Sequence, residues 1–208
     1  MMLPSNLKNK SEWVFVGPMG PELSNEFENY PLICVDGGAN FTKKMDIWVG
    51  DADSYDGAAR TEFHFKFSQD KDQSDLALAL NLFKERQNYT FHFWGFLGGR
   101  RDHELFNIGE ALNFLEDKGQ STIIFYGQDG KVYYELLSTG KWKFNHVGLF
   151  SVGVIKKTQL KLFGHCLYSI SAENPLNPLS SLGLSNKGFG EITLETIDPI
   201  FLYYPEGK

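Results

Sequence analysis

The chain has 208 residues, 42% hydrophobic and 15% aromatic, with 18 Phe; that is enough apolar material for a substantial core and excludes a disordered chain. A formal net charge of -6 and a pI near 5.4 argue against a nucleic-acid binder, which needs a basic face to neutralise phosphates. No apolar run approaches the ~18 residues of a membrane span, and residues 1–10 lack the apolar stretch of a secretory signal.

Up to about residue 125, strand-like and helix-like patterns alternate. Residues 13–17, 32–36, 47–51 and 63–67 read as strands. A helix is expected over 74–86, with Ser74 as N-cap and Leu76, Leu80 and Phe83 on one stripe. A strand over 89–95 follows. A second helix over 103–118 takes Asp102 as N-cap, Leu105, Ile108, Leu112 and Leu115 as its apolar face, and Gly119 as its stop. A strand over 122–126 completes the series. Continuous apolar strands alternating with helices predict an α/β unit, a mostly parallel sheet with flanking helices.

The pattern changes at Gly127-Gln128-Asp129-Gly130. Beyond it, short β-rich runs at 132–137, 147–155, 160–163, 167–170, 192–196 and 200–204 are separated by turn residues, with no helical period. This predicts a C-terminal all-β sandwich. The division expected is 1–128 for the α/β domain and 129–208 for the sandwich, which is small enough to need support from the first domain or a second subunit. Cys34 and Cys166 sit in separate apolar runs and read as buried free thiols of a reducing compartment, so a cytoplasmic protein is expected.

Seven of the twelve Asp fall between 51 and 102 (Asp51, Asp53, Asp56, Asp70, Asp72, Asp75, Asp102), against two of the fourteen Glu (Glu62, Glu85). A solvated face would draw on both acids; short carboxylates just after strands suggest rigidly held cation ligands. Asp51 and Asp53 are two apart on extended chain, so both point to one side. Taken alone, Gly50-Asp51-Ala52-Asp53-Ser54 is equally a turn bonded to its own backbone. An EF-hand fails on register, because its sixth position, which needs Gly, would be Asp56.

Asp70-Lys71-Asp72-Gln73-Ser74-Asp75 leads into the first helix, where acids also serve as first-turn charges; cap and site remain even. Gly98-Gly99-Arg100-Arg101-Asp102-His103 joins a strand to the second helix. Its glycines let backbone approach a ligand, and Arg offers a fork for phosphate. Asp36-Gly37-Gly38-Ala39-Asn40 ends another strand similarly and matches neither the Walker loop nor the Rossmann glycine fingerprint. Acids for a cation, with glycines and Arg for phosphates, imply a metal-nucleotide site on one edge of the sheet.

These four motifs, in this order, resemble thiamine pyrophosphokinase, and the β-rich tail with Gly183-Leu184-Ser185-Asn186 is similar to that family's C-terminal domain. Ser74 stands where the family usually has Thr, and Phe189 is the aromatic nearest the Ser-Asn pair, where some members carry Trp. The resemblance implies transfer of pyrophosphate from ATP to the thiamine hydroxyl, giving thiamine diphosphate and AMP. It implies Mg²⁺ on Asp51, Asp53 and Asp75, with Arg100 and Asp72 in the catalytic set. It implies nucleotide contacts from Asp36, Gly37, Gly38, Asn40, Gly98, Gly99, Arg100, Asp102 and His103. Lys71, Ser74, Ser185 and Asn186 would meet phosphate or thiamine, in a homodimer with sites between chains.

Two alternatives stay open: a pyrophosphokinase of this fold acting on another heterocyclic alcohol such as a pterin, and a nucleotide-binding sensor without turnover. His64 and His92, alternating with Phe, are expected to face solvent or satisfy local bonds. His165 beside Cys166 has no zinc-spaced partner, and Cys166 no indicated base.

Overall fold

The computed structural model describes residues 2–51, 55, 61, 63–85 and 87–208. It is a mixed α/β molecule dominated by sheet. The strands of the first half are β1 (Glu12–Val16), β2 (Leu32–Val35), β3 (Ile47–Gly50), β4 (Phe63–Lys66), β5 (Thr90–Trp94) and β6 (Thr122–Tyr126). They are all parallel, in the spatial order β4-β3-β2-β1-β5-β6. Among the described residues two α-helices accompany them, α1 (Asp75–Leu80) and α2 (Arg101–Phe114).

Strand alternation sorts the side chains onto two buried faces. Trp13 and Phe15 of β1 point to the helical side, where they join Phe83, Phe91, Phe93, Leu112 and Leu115. Trp13 meets Phe83 edge to face at 5.0 Å between ring centres, and Phe15 meets Phe91 at 5.0 Å. Val14 and Val16 point the other way, to Leu32, Cys34, Trp48 and Trp94, and Phe27 of a 3-10 turn closes over that side.

The sheet continues through antiparallel strands: β7 (Val132–Leu137), β8 (Gly140–Gly153), β9 (Leu160–Cys166), β10 (Asn186–Thr196) and β11 (Ile200–Tyr203), in the order β7-β11-β8-β10-β9. The fourteen-residue β8 pairs with β10 along Gly140–Phe150 and with β11 along Ser151–Gly153, so one strand serves both neighbours. Phe150, Val152, Leu162, Leu194, Leu202 and Tyr204 form its core.

Several expectations change. Ser74 does cap α1, its hydroxyl accepting from Ala77 N at 3.1 Å, but the α-helix ends at Leu80 and passes into a 3-10 turn over Asn81–Phe83. Leu76, Leu80 and Phe83 are buried as expected. The second helix starts at Arg101 and ends at Phe114, so Asp102 lies inside its first turn and is not the N-cap; Arg100 holds that position without a side-chain cap. Ile108, Leu112 and Leu115 are buried, yet Leu105 is 62% exposed. It belongs to a helical turn near the sheet's carboxyl edge, where it lines a groove of about 560 Å³ with Phe106, Ile155, Leu184 and Phe201.

Residues 167–170 form no strand; the segment bends and touches β9 through a single bridge, Ile170 to Leu162. Conversely, β8 begins at Gly140 because Trp142, Phe144 and His146 alternate with solvent-facing Lys141, Lys143 and Asn145. Neither cysteine forms a disulfide among the described residues; Cys34 is buried and Cys166 half-buried. His64 is exposed, its ring against Trp48. His92 is buried and satisfied across the sheet, by Tyr126 Oη at 2.9 Å and Glu12 Oε1 at 2.9 Å. Among the described residues no helix is long and apolar enough to cross a membrane.

Candidate active site

Because the six strands β1 to β6 run parallel, their carboxyl ends share one edge. The chain leaves β1 towards β2 on one side and returns to β5 on the other, so the strand order reverses between β1 and β5. In open α/β sheets, ligands bind in the crevice at such a reversal.

The loops there are pressed together by glycines. Gly17 N donates to Trp94 O at 2.7 Å and Met19 N to Gly95 O at 2.9 Å, which binds the loop after β1 to the loop after β5. Gly38, in a 3-10 turn over Asp36–Phe41, sits so close under β1 that a Cβ would stand 1.9 Å from Val16 O. Asp36 adopts a positive φ of 50°, and its carbonyl accepts from Trp48 Nε1 at 3.1 Å. Gly98 has φ 80°, and its N–H is held by the Glu104 carboxylate. Gln128 Nε2 donates to Met19 O at 3.3 Å and to Gly98 O at 3.4 Å, lacing together the loops after β1, β5 and β6. A cavity of about 460 Å³ opens beside them, lined by Leu97, Gly98, Gln128, Tyr133 and Tyr203.

The acids converge further along the edge. Asp51 follows β3 and Asp75 opens α1, and both reach Lys71: Nζ lies 3.4 Å from Asp51 Oδ2 and 3.2 Å from Asp75 Oδ1. The three side chains keep only 16%, 12% and 18% of their exposure for Lys71, Asp51 and Asp75, so the ions are largely enclosed. Burial pulls the Lys71 ammonium down; its hydrogen bond and charge attraction to Asp75, with Asp51 adding to them, outweigh that and hold its pKa above the ordinary value. Two hard oxygen donors already facing one cation fit a magnesium ion. Asp53 lies outside the described residues, and among those described no group of three or more His, Cys, Asp or Glu is arranged around a common metal position.

The other expected residues are placed as follows. Arg100 is exposed and turned onto Asp102, Nε 3.2 Å from Oδ1. The hydrogen bond from Arg100 holds the Asp102 carboxyl down at about 2. That pairing explains why Asp102 does not cap α2. His103 and Asp72 are exposed, and Gly37 is buried. Gly99 lies against Met19. Asn40 faces a separate polar cavity shared with Glu22, Asn25 and Lys43.

Ser185 immediately precedes β10 and Asn186 opens it, and among the described residues they bond only within the antiparallel half. Ser185 has φ 57°, and its N–H donates to Ser151 Oγ at 3.0 Å. Asn186 is buried: its Oδ1 accepts from Tyr168 N at 3.0 Å, and its Nδ2 donates to Tyr168 O at 2.6 Å. Gly17, Met19, Gly95 and Gln128 escaped the motif reading. Their only sequence signal was glycine at the end of an apolar strand.

Residues 25–125 match the family described as "Thiamin pyrophosphokinase, catalytic domain". This segment belongs to that catalytic-domain family. It runs from the turn that closes over β1 to the last residue but one of β6, and so contains Asp36–Asn40, Asp51, Asp75 and the Gly98–His103 loop. The whole thiamin pyrophosphokinase fold is shared as well. A Bacillus subtilis thiamine pyrophosphokinase structure superposes with TM-score 0.67 at 21% identity, covering 93% of this chain and 98% of that chain. The Candida albicans enzyme gives 0.64 at 13% identity over 92% and 88%. The yeast enzyme gives 0.60 at 12% identity over 94% and 86%. No curated protein sequence matches the chain.

Proposed function

We infer that this chain is a thiamine pyrophosphokinase, transferring pyrophosphate from ATP to the thiamine hydroxyl with release of AMP. The observation that carries the reading is that the catalytic-domain match spans the one sheet edge where the glycine loops and the Asp51–Lys71–Asp75 trio lie. The thiamine hydroxyl oxygen attacks the β-phosphorus and gives up its proton to a facing Asp carboxylate or to solvent. The bond from that phosphorus to the α-phosphate oxygen breaks, and AMP leaves with the electron pair. Such a transfer needs positioning and charge neutralisation more than covalent help from the protein.

Asp51, Asp53 and Asp75 would hold Mg²⁺, which when bound neutralises the triphosphate and orients it. The Gly38 turn and the Gly98–Gly99 loop bring backbone close to the polyphosphate, alongside Asp36, Gly37 and Asn40. Arg100 would exchange its partner Asp102 for phosphate oxygen, its fork suiting two of them. Asp102 and His103 would then border the nucleotide. Tyr133 and Tyr203 offer ring faces for a heterocycle in the cavity beside Gly98. Asp72 and Ser74 stand in the segment that carries Lys71, within reach of a bound phosphate.

We read the molecule as an α/β catalytic domain over 1–128 and a β-sandwich over 129–208, supported by the change from parallel to antiparallel pairing between β6 and β7. Ser185 would touch thiamine, with Asn186 fixing the backbone around it. The protein would act as a cytoplasmic homodimer whose sites lie between chains.

The test is incubation with ATP, Mg²⁺ and thiamine, with AMP as the readout. AMP appearing only with thiamine supports the reading. AMP with a pterin alcohol and none with thiamine moves the substrate. Bound ATP with no AMP from any alcohol makes the protein a sensor.

A further inference from the structure

We propose that Lys71 is a built-in counter-cation for Asp51 and Asp75, which a divalent metal ion must displace to load the site. The inference rests on reading these two acids as metal ligands.

The geometry is that of a cation site with an occupant. Asp51 and Asp75 come from different elements, the end of β3 and the start of α1, twenty-four positions apart in the chain. Their carboxylates nonetheless meet on one ammonium, at 3.4 and 3.2 Å, in a setting where all three side chains are largely covered. Two partly buried carboxylates repel strongly when no positive charge lies between them. The chain supplies that charge itself. Lys suits this role better than Arg, because its ammonium is a compact point charge on a flexible stem, closer in shape to a metal ion than a planar fork is.

The backbone around Lys71 is lightly tied. Its N–H bonds to Gln69 O at 3.1 Å, two residues away, and neighbouring Asp70 N bonds to Ser68 Oγ. An incoming dication offers the acids twice the charge, and the ammonium can then swing out on its stem. It emerges beside the metal still positively charged, facing the position of a polyphosphate. Metal loading and phosphate capture would thereby be coupled through one side chain.

An alternative is that Lys71 merely clamps Asp75 as an i,i+4 partner. The two roles have opposite signs for metal affinity, since a clamp pre-organises the ligands whereas a stand-in competes for them.

The experiment is Mn²⁺ binding to the nucleotide-free protein, followed by calorimetry and by the paramagnetic signal of free Mn²⁺, for wild type and Lys71→Met. Displacement predicts about tenfold tighter Mn²⁺ binding in Lys71→Met, the factor typical of removing one close competing charge. It also predicts a lower metal-free melting temperature that Mn²⁺ restores. Equal or weaker binding in the variant overturns the inference and leaves the metal reading intact. No Mn²⁺ binding in either protein overturns both.

A measurement on wild type alone guards against a variant that does not fold. Acylation of Lys71, quantified by mass spectrometry, should rise severalfold on adding Mn²⁺ as the ammonium is released. Unchanged or reduced labelling overturns the proposal.

Discussion

Gly17 and Gly95 pack backbone against backbone: a Cβ built on either would stand 2.5 Å from the other's carbonyl oxygen. The contact lies where the strand order reverses, so it sets how closely the loops after β1 and β5 approach. Gly95 also has φ 77°, a region that costs any side-chain-bearing residue.

Gly95→Ala is therefore expected to lose about 2–4 kcal/mol of stability, from the positive φ and the backbone overlap together. Urea denaturation checks this. A loss under about 0.5 kcal/mol, the range of an ordinary surface change, would show that the two loops can part freely.

Asp75→Asn keeps the shape of the α1 start but removes one of the two charges that face Lys71. AMP production should fall at least ~100-fold, more than loss of an outer-shell partner usually costs a metal site. The circular dichroism spectrum should stay that of the parent. Wild-type turnover would remove Asp75 from the metal set.

Asn186 and its neighbour Ser185 should separate on substitution. Asn186→Ala removes the side-chain partner of Tyr168 N–H and the shorter of the two bonds to Tyr168 C=O, which keeps Cys166 Sγ at 3.5 Å. Because Tyr168 is itself exposed, the cost should be about 1–2 kcal/mol. Ser185→Ala touches neither bond, so it should leave the denaturation midpoint unchanged while raising KM for thiamine. Equal stability of the two variants would refute the structural role of Asn186.

A charged cluster ties the end of α2 to the antiparallel strands. Lys156 Nζ lies 2.9 Å from both Asp198 Oδ1 and Glu116 Oε1, and Thr158 donates to Asp198. Burial alone would raise the Asp198 pKa, but the hydrogen bonds from Lys156 and Thr158 and the Lys156 charge leave it lowered. A depressed folded value means that Asp198 stabilises the fold above its unfolded pKa of about 3.9 and ceases to as pH falls through the lower folded value. Melting temperature should drop in that acid window, and Asp198→Asn should flatten the drop. A variant with the same acid profile as wild type would place the sensitivity elsewhere.

Much of the first half was legible locally. Apolar runs marked β1, β2, β3, β5 and β6 to within one or two residues, because a strand covered on both faces is apolar nearly throughout. By contrast, β4 is a largely exposed edge strand announced only by its alternating Phe. Ser74 announced its helix because a cap is decided within three residues. The second half was less readable. The start of β8 alternates Lys with aromatic residues, a weaker signal than a continuous apolar run, while residues 167–170 look like a strand but are turned aside by Asn186.

The sequence alone determined which short carboxylates and glycines follow which strands, since each motif is written in consecutive residues. It could not determine their company. That Lys71 meets Asp51 and that Gln128 bonds to Met19 depends on which strand ends are neighbours. Leu105 shows the same dependence, for it continues an apolar stripe but lies where the stripe leaves the core. Periodicity and capping are short-range, settled by bonds a few residues apart. Strand order is long-range, settled when β5 returns beside β1 and buries Phe91 and Phe93 against Phe15. That return brings the glycine loops together and makes scattered motifs into one edge.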